Sequence, residues 1–119
     1  MRLDMEVWLR GNDFATNDGV DLPIPEPAGW SDHDVRQVLE ELLRAIDRAK
    51  HPEADRNRHV TLRGFNWIVS PFEGGALVSV EIQLGAAAAG PFPIDKDLLE
   101  AMIGRAIAGA SQSDTPSVH

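Results

Sequence analysis

An α+β fold, a two-layer β-α-β-β-α sandwich with both helices on one face of a small, mainly antiparallel three-stranded sheet, is predicted by three features of the sequence. Residues 3–9 and 78–84 alternate apolar and polar side chains with the period of a strand. Residues 35–49 and 98–107 repeat apolar side chains every three or four positions, as a helix with one buried stripe does. Between these stretches lie clusters of glycine, proline and aspartate that interrupt both periods.

The first strand places Leu3, Met5, Val7 and Leu9 on one side and Arg2, Asp4, Glu6, Trp8 and Arg10 on the other. Residues 11–30, with three glycines, three prolines and four acids, read as a long irregular loop, and the alternation of Val20, Leu22 and Ile24 leaves room for a short extra edge strand over residues 20–24. A helix follows. Ser31 and Asp34 have the spacing of a capping box, and Trp30 stands where a hydrophobic staple would reach Val35. Behind the cap, Val35, Val38, Leu39, Leu42, Leu43 and Ile46 make the stripe, and Glu40 and Arg44 are spaced for an outer ion pair. The helix is expected to stop near His51-Pro52, because the residue before proline resists helical geometry.

Residues 58–70 and 77–84 read as a hairpin joined at residues 71–75. In its first strand the inward phase changes at Gly64, with Val60 and Leu62 before it and Phe65, Trp67 and Val69 after it, which a one-residue bulge at Gly64 would reconcile. In the second, Ser79, Glu81 and Gln83 alternate against Val78, Val80, Ile82 and Leu84. Residues 85–90, "GAAAAG", read as a tight connection, and Leu98, Leu99, Met102, Ile103, Ala106 and Ile107 as a second helix stopping at Gly109. Residues 1–110 are therefore expected to form one domain and residues 111–119 a flexible tail. With residues 77–84 between the other two strands every neighbour is antiparallel. That is the split βαβ arrangement of ferredoxin-like domains without the last strand, an architectural analogy that carries no function.

Composition narrows the chemistry. The chain has no cysteine, which excludes disulfides, thiolate metal sites and cysteine nucleophiles. No window approaches a membrane span and Asp4 and Glu6 interrupt any signal-peptide core, so a cytoplasmic protein with no membrane partner is expected. A net charge of −8 disfavours nucleic acid as a partner, since phosphate neutralisation needs a basic surface. The charge is uneven: residues 44–63 carry a net +3 and leave −11 elsewhere. That basic stretch suits a helix end and a solvated loop, or a docking patch for an acidic partner.

The candidate motifs are weak. In "DHD" at residues 32–34 consecutive side chains of a first helical turn diverge, and acids there suit the helix dipole better than a metal. "GAAAAG" lacks the lysine and hydroxyl of a phosphate loop, and Asp95 and Asp97 follow it with negative charge. "TNDGVD" fails the ligand spacing of a calcium loop. His59 beside Thr61 is the nearest approach to a base and hydroxyl pair, and a solvated pair is its ordinary role.

No catalytic, metal or cofactor residues are assigned, and an enzyme is disfavoured. The expectation is a non-catalytic binding or adaptor module that acts through protein–protein contact or homo-oligomerisation. Its interface would lie on the sheet face that two helices leave open, or on the sheet edge, with Trp8, Arg63, Ser79, Glu81 and Gln83 as candidate residues. The alternative is a small-molecule-binding protein or small enzyme with a pocket between the 11–30 loop and the 85–90 segment.

Overall fold

The computed structural model describes residues 1–53 and 60–114, with residues 111–114 as backbone alone. In chain order the elements are β1 (Arg2–Leu9), β2 (Thr16–Asp21), α1 (Asp32–Lys50), β3 (Asn66–Phe72), β4 (Gly75–Ile82), β5 (Gly85–Phe92) and α2 (Lys96–Asp114), with a short 3-10 turn at Pro27–Gly29 ahead of α1. The α+β class holds, but the three-stranded sheet does not. The strands form one five-stranded open sheet in the order β2-β1-β5-β4-β3, and every neighbouring pair is antiparallel.

Two additional strands make the difference. β2 meets the anticipated edge strand only at Val20 and Asp21 and lies mostly upstream of it, pairing Thr16 with Val7 and Asp21 with Arg2. β5 is the run read as a connection, and it occupies the middle of the sheet. Glycine and alanine are poor strand formers in isolation, but a central strand is chosen by fit to its neighbours. Ala87 is paired with Val7 on one side and Val80 on the other and has no solvent exposure. At Gly85 an added Cβ would stand 2.0 Å from the Trp8 carbonyl oxygen. Small residues here let two larger strands and α1 close over β5.

The hairpin is present as β3 and β4, shifted toward the turn. Its loop is the two residues Glu73 and Gly74, at φ 50° and 80°, a pair of left-handed residues that matches the twist of the strands. Gly64 is not in a bulge. It precedes β3 with φ 65°, so the phase change occurs in a turn ahead of the ladder, after which Trp67 and Val69 face the core. The irregularity in the ladder lies instead in β5, where Gly90 and Pro91 oppose Leu77 between the pairs Ala76–Phe92 and Val78–Ala89. Gly90 has φ 119°, and a Cβ there would lie 2.8 Å from the Ala76 carbonyl oxygen.

Helix α1 starts where its cap indicates. The Asp34 N–H donates to Ser31 Oγ at 3.2 Å, and the Ser31 N–H donates to Asp34 Oδ2 at 2.9 Å, two exchanged bonds of a kind worth about 1 kcal/mol to a helix end. Trp30 is buried with its ring edge against Phe92, centroids 4.9 Å apart, and its indole N–H donates to the Pro25 carbonyl at 2.9 Å. The expected Glu40–Arg44 pair is replaced by Arg36–Glu40 and Glu41–Arg44. Helix α2 starts behind Asp95, whose carboxylate accepts the Leu98 N–H, and it continues past Gly109 to Asp114. The tail beyond it, at residues 115–119, lies outside the described residues.

α1 packs on β1, β5 and β4, and α2 on β3, β4 and α1. Leu39, Leu42 and Ile46 of α1, Leu99 and Ile103 of α2, and the inward strand residues form one buried cluster. Arg105 of α2 donates two hydrogen bonds, of 2.8 and 3.1 Å, to the Asp32 carboxylate at the start of α1. The Arg105 guanidinium thereby holds the Asp32 carboxyl below its ordinary range. A second polar tie is buried. Arg48 of α1 donates to Asp18 of β2 at 2.8 Å and to Glu41 at 3.3 Å, and Glu41 also binds Arg44.

Candidate interaction surface

Strand alternation assigns the two sheet faces. Leu3, Met5, Val7, Val78, Val80 and Ala87 point into the core beneath the helices. Their alternating neighbours define the opposite, open face: Asn17 and Gly19 from β2, Arg2, Asp4, Glu6 and Trp8 from β1, Ala86 and Ala88 from β5, Leu77, Ser79 and Glu81 from β4, and Asn66, Ile68 and Ser70 from β3.

This face is a trough. The alanines of β5 are too short to rise to the level of the long side chains on β1 and β4, so the sheet is lowest along its central strand. The resulting depression, about 530 Å³, lies among Arg2, Glu6, Trp8, Asn17, Leu77 and Ala88. A second, of about 350 Å³, continues toward β3 between Ile68, Ser79, Glu81 and Ala86. Trp8 is 40 % exposed and Ile68 59 %, large apolar groups that water meets directly. Their setting is charged. Arg2 donates to Asp4 at 3.0 Å, and that carboxylate raises the affinity of the guanidinium for its proton. Glu6 and Glu81 make no ion pair among the described residues.

The predicted interface residues are not one patch. Trp8, Ser79 and Glu81 share the open face, separated by β5. Gln83 lies past the end of β4, in the turn to β5, where its carbonyl accepts the Arg10 Nε–H at 2.9 Å. Arg63 precedes β3 and borders a hollow with Leu43 and Asp47 of α1. The residues that sequence reasoning missed are Ala86, Ala88, Leu77 and Ile68. Ile68 carried a usable signal, since it alternates with Trp67 and Val69. The β5 alanines carried none, because four identical small residues have no readable phase.

The weak motifs have structural roles where they are described. Asp32 binds Arg105, Asp34 closes the capping box, and Asp95 caps α2. Thr61 is exposed, whereas His59 and the basic residues Arg56 and Arg58 lie outside the described residues. No helix among the described residues is long and apolar enough to cross a membrane. No family model matches the chain, and no curated protein or solved structure matches it either.

Proposed function

We propose that the protein is a non-catalytic binding module whose open sheet face recognises a polypeptide. The observation that carries this reading is the alanine-floored trough beside a half-exposed tryptophan, on a face that neither helix covers. Tryptophan is among the residues that dominate binding energy when a partner seals it from water. A shallow trough several residues long suits an extended segment better than a compact ligand. Glu6 and Glu81 favour lysine or arginine in that segment, with small apolar side chains over the alanines.

Selection from a displayed library of short peptides tests this directly. Binders should be enriched, and Trp8→Ser should weaken them roughly thirtyfold, the loss expected of a central anchor, while lowering stability by only about 1 kcal/mol. Failure to enrich binders, or affinity indifferent to Trp8→Ser, contradicts the proposal.

A second reading is supported by the walls of the depression. Asn17 and Gly19 come from the 11–30 stretch, and Ala88 and Gly90 from the 85–90 stretch, the two segments between which a small-molecule pocket is expected. Native mass spectrometry of gently purified protein distinguishes this reading, which requires a retained small molecule that Ala88→Trp displaces.

A further inference from the structure

We infer that the protein forms a two-fold symmetric dimer by antiparallel pairing of strand β3 with β3 of a second copy, in the register that places Ile68 opposite the partner's Ile68. This goes beyond recognition on the open face and uses the β3 edge of the sheet, on the far side of β5 and β4 from Trp8.

The two edges of the sheet differ in chemistry. At the β2 edge the Leu22 N–H donates to the Met1 carbonyl, and alternation along the ladder then turns the outward peptide groups to Asn17, Gly19 and Asp21. That edge is acidic, and the Arg2 side chain folds against Gly19, close enough to meet a Cβ placed there. Charge on an edge strand is a usual defence against pairing. The β3 edge, "NWIVSPF", has no charged residue at all and exposes Ile68 and Phe72.

The hairpin fixes which groups of β3 are available. A two-residue loop closes on a hydrogen-bonded Phe72–Gly75 pair, so Ser70, Ile68 and Asn66 also spend their peptide groups on β4. Trp67 and Val69 then direct their N–H and C=O groups outward, and no hydrogen bond to another described residue reaches them there. Pro71 holds the next outward position and has no N–H to offer, so pairing cannot be centred near the turn.

One symmetric register uses both available residues and avoids Pro71. With Ile68 on the two-fold axis, Trp67 exchanges two hydrogen bonds with the partner's Val69, and Val69 exchanges two with the partner's Trp67. The Ile68 side chains meet as a close, non-hydrogen-bonded pair on the open face. The chain leaves the ladder at the Gly64 turn and at the Glu73-Gly74 loop, so the pairing is set by Trp67, Ile68 and Val69. Two sheets joined this way form one continuous surface with two troughs, one from each copy.

Because the chain has no cysteine, Ile68→Cys is a clean probe of the register. Sedimentation should show the unmodified protein as a dimer. Under mild oxidation the Ile68→Cys variant should form an intermolecular disulfide in high yield at dilute concentration. Ser70→Cys should not, since its thiols lie on opposite sides of the axis, each facing the partner's Asn66. Ile68→Lys should give a folded monomer whose unfolding midpoint no longer rises with protein concentration, and Trp8→Ser should remain a dimer, which separates this proposal from recognition on the open face. A monomeric unmodified protein, or equal cross-linking through Ser70→Cys, overturns it.

Discussion

Gly85→Val is expected to destabilise the protein by about 3 kcal/mol, because the central strand has no room for a side chain there. Gly85 is paired with Leu9 of β1 and Ile82 of β4. The nearest atoms to an added Cβ are the Trp8 carbonyl oxygen at 2.0 Å and the Leu9 Cα at 2.9 Å, both of them backbone. A flexible side chain could swing away, but a ladder strand cannot move without giving up hydrogen bonds, including the Arg10 N–H to the Leu84 carbonyl at 2.9 Å. β1 would have to lift from β5 at the end that carries Trp8. Urea unfolding of the variant measures the loss. Gly104→Ala is the matched control: it adds a methyl in α2 with nothing within 4 Å, and should stabilise by about 0.5–1 kcal/mol.

Arg48→Met is expected to cost about 3 kcal/mol, for an electrostatic reason. The Arg48 side chain is 8 % exposed and lies between Asp18 and Glu41, whose side chains are 21 % and 10 % exposed. Methionine preserves most of the packing volume but removes the cation that lies between two carboxylates in a poorly solvated space, with Arg44 still on Glu41. The loss falls on the junction between α1 and edge strand β2, so hydrogen exchange should accelerate in β2 before it does in β4 or β5. Adding Glu41→Met to Arg48→Met should recover part of the loss, since the second change removes one of the two carboxylates whose repulsion Arg48 offsets. Strict additivity of the two losses in urea unfolding would show that the pair is not electrostatically coupled.

Elements with a strong period and local punctuation were legible in the sequence. α1 announces its start through Ser31 and Asp34 and its stop through Pro52, and β1 announces its two faces by strict alternation. What failed to show depends on partners distant in sequence. β5 is a strand because Val7 and Val80 flank Ala87 and because the Trp8 backbone presses on Gly85, and nothing within "GAAAAG" reports those neighbours. β2 is polar enough to resemble a loop, and becomes a strand because β1 offers it an unpaired edge. The Gly64 turn shows a third limit. A phase change between apolar residues marks where a chain departs from regular alternation, but not whether a bulge or a turn makes the departure. The same blindness applied to the candidate surface: Trp8 stood out among charged neighbours, while the trough beside it required the position of β5.

Amide chemical-shift mapping of the isotope-labelled protein, titrated with a peptide selected for binding, tests recognition on the open face most directly. Such recognition predicts shifts concentrated at Trp8, Ala86, Ala88, Leu77 and Ser79, with the outer surfaces of α1 and α2 unmoved. Shifts confined to the helices, with those five amides unchanged at saturation, would contradict it.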